Sequence, residues 1–147
     1  MNYYAYYLEI VRAKLAGLKQ SSDTGAKDLF VDVKIGGNAK LSGYPSAIVY
    51  KKPSTAQIQT TKQNQREFQI GVVIYHQFSA GIDNDTAESQ MTSAVDIILQ
   101  ALDKDIDLGG TCDFVKAVPA NFSYSITQAP FISADFTISI VQMVNRQ

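Results

Sequence analysis

The 147-residue chain contains no tryptophan, one cysteine (Cys112), one histidine (His76) and four prolines. A lone cysteine excludes an internal disulfide, and with a lone histidine it excludes the usual Cys/His zinc arrangements. No apolar run approaches the roughly 20 residues that span a bilayer, and Met1-Asn2-Tyr3-Tyr4 lacks the basic start of a secretory signal. The expectation is a protein that stays where it is made, with no membrane partner. The most telling absence is local. Between Val33 and Arg66 there is no carboxylate, only Lys34, Lys40, Lys51, Lys52, Lys62 and Arg66.

What is present fits one folded domain spanning residues 1–147. Apolar residues make up 46% and charged residues 18%, outside the disordered regime, and the length suffices for a core without staples. The net charge of −1 conceals a segregation. From Asp83 to Asp113 eight acids face Lys104 alone, a local balance of −7 set against +6 in the cation-only stretch. A subunit polarised in this way suits head-to-tail contact with copies of itself, basic against acidic.

Tyr4, Leu8, Val11, Leu15 and Leu18 recur at helical spacing, widened by Tyr3 and Tyr7, and Ser21–Gly25 ends that helix. Leu29, Val31, Val33 and Ile35 alternate with Phe30, Asp32 and Lys34 as in a half-buried strand. A second strand covers 46–51. A third, Glu67 to Phe78, is apolar on both faces and belongs near the middle of a sheet or under an interface. Asp85 and Glu88 have capping-box spacing before a long helix with the stripe Ala87, Met91, Ala94, Val95, Ile98 and Leu102. Strands over about 113–126, interrupted by Pro119, and 131–143 close the chain. In the last, Ile132, Ala134, Phe136, Ile138 and Ile140 face inward, worth on the order of 10 kcal/mol before entropy is subtracted.

The order α-β-β-β-α-β-β predicts an α+β domain: a mainly antiparallel sheet of about five strands, two helices packed on one face, and a long arm between the second and third strands. That arm, residues 51–66, is too polar for a core and too long for a tight turn, so it is expected to touch something outside the subunit. Lys51, Lys52, Lys62 and Arg66 are its candidate contact residues, with Asp96, Asp103, Asp105 and Asp107 as the acidic counter-face.

Catalytic templates are short of parts. His76 continues a strand alternation and Cys112 lies 36 positions later, so neither has the partner a nucleophile needs. Asp103, Asp105 and Asp107 mimic the start of a calcium loop, but Leu108 stands at the glycine place and Phe114 at the closing glutamate. Gly36-Gly37 lacks the lysine and hydroxyl of a phosphate loop. The reading is a non-enzyme with no cofactor or metal. Cations spread along the arm would hold DNA feebly in one copy, though a ring of copies could line a channel for it.

The amphipathic first helix, the strand entry Tyr44-Pro45-Ser46-Ala47-Ile48-Val49-Tyr50, the run Arg66 to Tyr75, the acid-capped helix ending Ile97-Ile98-Leu99-Gln100-Ala101-Leu102 and the terminal Ala134 to Ile140 resemble the tail terminator, or tail completion, proteins of tailed bacteriophages and prophages. The resemblance covers nearly the whole chain in element order. It implies a hexameric ring that caps the tail tube, stops its polymerisation and meets the head or neck, located in the virion after assembly in the bacterial cytoplasm. Loops in that family project toward neighbours and the tube, a role that would fall on the arm. Two other readings stay open: a head-completion or neck connector protein, and a small non-viral nucleic-acid-binding or protein-binding domain.

Overall fold

The computed structural model describes residues 3–21, 23–36, 43, 45–52, 55–58, 63–77, 84–115 and 131–145, with backbone alone at 55–58, 63–64, 77, 84–88, 131–132 and 144–145. In chain order the elements are α1 (Tyr3–Ala16), β1 (Asp32–Ile35), β2 (Ser46–Lys51), β3 (Thr55–Ile58), β4 (Gln63–Gln77), α2 (Asn84–Lys104), β5 (Phe114–Val115) and β6 (Phe131–Asn145). The class is α+β, and the sheet is mixed. Five strands run in the order β1-β2-β4-β6-β5, and β3 pairs with β4 beside β2.

The antiparallel ladder of β4 and β6 is the spine, continuous from Gln63↔Asn145 to Gln77↔Phe131. Its register sets even residues of both strands on one face. There Phe68, Ile70, Val72 and Ile74 lie opposite Ile140, Ile138, Phe136 and Ala134, all buried. Ala47 and Val49 of β2 join the same face, paired with Ile74 and Val72. The buried side chains of both helices fall into a single cluster with this face.

The α2 stripe is as expected: Met91, Ala94, Val95, Ile98 and Leu102 are buried. The helix starts at Asn84, which places Asp85 in the first turn, where the helix dipole favours an acid. In α1 the stripe is turned from its expected line. Tyr7, Val11 and Leu15 are its fully buried centre, with Tyr3, Tyr4, Leu8 and Leu18 packed at the flanks. Phe68 causes the rotation. Its ring receives Tyr3 at 5.5 Å, Tyr4 edge-on at 5.2 Å and Tyr7 at 5.4 Å between centroids, so the aromatic side of α1 faces the sheet.

The sheet is mainly antiparallel, with one parallel pair, β1 with β2, which local alternation cannot reveal because periodicity is blind to strand direction. Two expectations need correction. The alternation of β1 fails, since Val33 is buried whereas Val31 and Ile35 are 60% and 41% exposed; β1 lies at the end of the strand order with cover only at its centre. The supposed arm is largely strand: Thr55–Ile58 pairs antiparallel with Asn64–Glu67, and β4 begins at Gln63. The order becomes α-β-β-β-β-α-β-β, with six strands. Of the strand expected over 113–126 only residues 113–115 lie within the described residues, with Phe114–Val115 as strand; Pro119, Phe78 and Lys62 lie outside them.

On the other face of the spine Gly71 is buried beneath the Tyr50 ring. A Cβ built there would come within 2.2 Å of the ring, so glycine is required for the aromatic to lie flat across the strand. Gly71→Ala should destabilise the fold by about 1–3 kcal/mol, as overpacking does. In a Tyr50→Ala background the added cost of Gly71→Ala should largely vanish, measured as a double-mutant cycle in urea. Equal costs in both backgrounds would refute the stacking argument.

Candidate functional site

Strand geometry decides where the candidate cations point. Successive residues of a strand face opposite sides, so adjacent Lys51 and Lys52 are parted by the sheet. Lys51, opposite Ile70, lies on the helix face with its Nζ 5.3 Å from the Tyr4 ring centroid. Tyr4 donates its hydroxyl proton to the Lys52 carbonyl at 2.5 Å, which ties the start of α1 to the end of β2. Arg66, paired with Ala56 and Gln142, is half-buried on the side of Lys51. Lys62 lies outside the described residues.

Lys52 belongs to a different group. Its Nζ donates to Thr137 Oγ1 at 2.6 Å and lies 5.7 Å from the Tyr50 ring centroid, while Tyr50 Oη is 3.5 Å from Asp135 Oδ1. Burial first, then Asp135, pushes the Tyr50 hydroxyl above its ordinary value of 10.0. This polar and aromatic patch was only half visible in sequence: Asp135 and Thr137 stand out as outward positions, but only the register brings Tyr50 and Lys52 to them.

Beyond Phe68 and Ile140 the sheet runs past the core cluster of the described residues, although Val141 is still buried. Gln65, Arg66, Glu67, Gln142 and Met143 are half-buried and none joins the core cluster, which stops at Phe68 and Ile140. Three strands, β3, the start of β4 and the end of β6, therefore form a blade extending about 17 Å past Phe68.

The four candidate acids separate into two kinds. Asp105 is committed inside the subunit: it accepts from Lys14 Nζ at 2.8 Å and from the Gly109 N–H at 2.8 Å, pinning α1 to the turn after α2. Lys14 first, and then the Gly109 N–H, hold its carboxyl below the usual aspartate value. The turn reverses through Leu108 at φ 48°, then Gly109 and Gly110 at 71° and 85°. Leu108 tolerates this left-handed backbone because its side chain is buried in the core. Asp96, Asp103 and Asp107 are exposed and make no ion pair among the described residues. Asp96 and Asp103, seven apart on α2, share one helix face. Asp113, also exposed, accepts from the Met143 N–H at 2.7 Å and prolongs the edge beyond β5.

Sheet order turns this into a spatial polarity. Lys34 and Lys51 lie on the β1-β2 side of the spine; Asp107 and Asp113 flank β5 at the opposite edge, next to the end of α2 with Asp103. Among the described residues, Lys34 and Lys51 of the cation-only stretch and Asp107 and Asp113 of the acidic one thus lie toward opposite edges of the sheet, while Arg66 sits on the central β4.

His76 is buried, its Nε2 2.5 Å from Gln90 Oε1. It pairs opposite Ile132, whereas Cys112 precedes Asp113, whose N–H bonds Val141 opposite Glu67. Nine positions of β4 part the two pairings, about 30 Å. The Cys112 thiol is buried, and burial followed by Asp107, Asp113 and Asp105 pushes it up to about 11. No protein-family model matches the chain, and no curated protein matches it.

Two predictions follow from these contacts. The Asp105 pKa is depressed in the fold, so its stabilisation is complete above the ordinary value of 3.8 and is lost as pH falls through the lowered one. Asp105→Asn should therefore cost up to about 1 kcal/mol at pH 7, and the difference from wild type in thermal melts should shrink toward pH 3. Cys112, with only about a thousandth of its thiol ionised at pH 8, should react with a disulfide reagent at least a hundredfold more slowly in the native chain than in urea.

Proposed function

We propose that the chain is a virion structural protein of the phage tail-terminator kind, forming a ring that caps a tail tube and joins it to the head or neck. The reading rests on the element order of the sequence. The one structural observation that favours it is the separation of exposed charge among the described residues, with Lys34 and Lys51 on the β1-β2 side of the sheet and Asp107 and Asp113 beside β5 at the opposite edge, next to the end of α2 with Asp103. Within a monomer such sorting brings no stabilisation. Between copies placed head to tail it brings opposite charges together in every contact of a closed ring. The blade supplies an edge beyond the core on which a tube or neck protein could be received.

The placement of the cations weighs against simple nucleic-acid binding as the main role. Backbone binding profits from cations gathered on one surface, whereas Lys51 and Lys52 face opposite ways and Lys52 is held by Thr137.

Mass in solution tests the reading. The 16.1 kDa chain should form a ring-sized species, alone or with its tube protein, that weakens as salt rises. Reversing Lys51 and Arg66 to Glu, or Asp96 and Asp103 to Lys, should each raise the dissociation constant about two- to tenfold per contact. A monomer at high concentration, unchanged on mixing with tube protein, would refute the proposal.

A further inference from the structure

Five large apolar side chains are exposed among the described residues, and four of them sit at the two ends of the strand order: Val31 and Ile35 at β1, Ile106 and Phe114 at β5. The β1 end is an open edge, since among the described residues β1 pairs only with β2. The β5 end is finished by the turn after α2, where the Val115 N–H donates to the Ile106 carbonyl at 2.7 Å and places Ile106 beside Phe114. Exposed edges of this kind are ordinarily covered, charged or paired with another chain.

We propose that these two edges are the halves of one heterologous contact: the β1 edge of one copy, with Val31, Lys34 and Ile35, seats against Ile106, Asp107 and Phe114 of the next. It rests on the reading of the chain as a ring-former and names the two surfaces that close the ring. A second copy is the occupant because charge agrees with shape. At the β1 edge Asp28 is held by Lys19, and Asp32 is only 15% exposed and 3.7 Å from Lys34, which leaves the Lys34 ammonium, half exposed, as the outward charge. At the other edge the outward charges among the described residues are Asp103, Asp107 and Asp113, against Lys104. Apolar pairs then meet at the centre with opposite charges beside them, the arrangement of a desolvated core and polar rim. The two surfaces differ, so each copy uses both, and the contact propagates around an axis instead of stopping at a two-fold dimer.

The test uses the full chain and four single variants, Val31→Asp, Ile106→Asp, Lys34→Asp and Asp107→Lys, with the double variant Lys34→Asp/Asp107→Lys, all followed by sedimentation. Each substituted side chain is exposed, and thermal melts of the dissociated chains should be unchanged, which separates lost assembly from lost folding. The expected result is at least a tenfold rise in dissociation constant for Val31→Asp and Ile106→Asp, a smaller rise for each single charge reversal, and partial recovery in the double variant. If wild type assembles but ignores these substitutions, the edge assignment is overturned and the ring reading stands. Disruption by Val31→Asp without any effect of Ile106→Asp overturns the heterologous pairing in favour of β1 against β1. A wild type that stays monomeric even with its tube protein removes both.

Discussion

The rest of the structure depends on the register of β4 against β6. Fifteen consecutive pairs, Gln63↔Asn145 to Gln77↔Phe131, fix which side chains share a face. A slip of one residue would turn Phe68, Ile70, Val72 and Ile74 away from Ile140, Ile138, Phe136 and Ala134 and present glutamine, glycine and serine to the helices. Everything else is hung on this ladder. The outer edge of β4 takes β2 and β3 in turn, bridged by the Lys52 N–H to the Gln69 carbonyl at 2.9 Å, and the outer edge of β6 takes β5. Because α2 lies between the two strands in sequence, the ladder closes only after a long excursion, so its formation carries a large loop-closure cost.

Where a segment's own side chains decide its environment, the sequence is legible. The α2 stripe and the alternations of β4 and β6 are of this kind, because each buries one whole face against the same partner. Local reading fails where a neighbour decides. The alternation of Thr55-Ala56-Gln57-Ile58 covers only four residues, too short and too weakly apolar to announce a strand; it becomes one because the start of β4 offers it an edge. Val31 and Ile35 fit the inward pattern of β1, but an edge strand has cover only at its middle. The stripe of α1 turns toward Tyr7 because Phe68, more than fifty residues away, gathers three tyrosines around itself.

The candidate site divides on the same line. Charge segregation could be read directly, since it is a property of composition along the chain. The pairing of individual charges could not: Asp105 looks equivalent to Asp103 and Asp107, yet the turn through Leu108, Gly109 and Gly110 aims it at Lys14. Lys51 and Lys52 look like one basic dipeptide, yet the pleat sends them to opposite faces. Treating residues 51–66 as a loose arm hid this, because only in a strand does parity carry meaning.

These separations have a common consequence for energetics. The apolar face of the spine holds the chain together, and the residues assigned to contact between copies contribute almost nothing to it. Val31, Lys34, Ile106 and Asp107 are exposed, and Asp96 and Asp103 lie on the outer side of α2. Exposed charges without an internal partner are worth little to a monomer in water, where they are fully solvated. Their attraction grows only when a second surface excludes that water and shortens the distance between opposite signs. Exposed Lys34 and Lys51 toward one edge of the sheet, and Asp103, Asp107 and Asp113 toward the other, thus hold electrostatic stabilisation in reserve. Lys14 with Asp105 is the exception that fits this logic: among the described residues it is the one ion pair joining the first helix to the turn after the second, so its contribution is to folding and not to contact between copies.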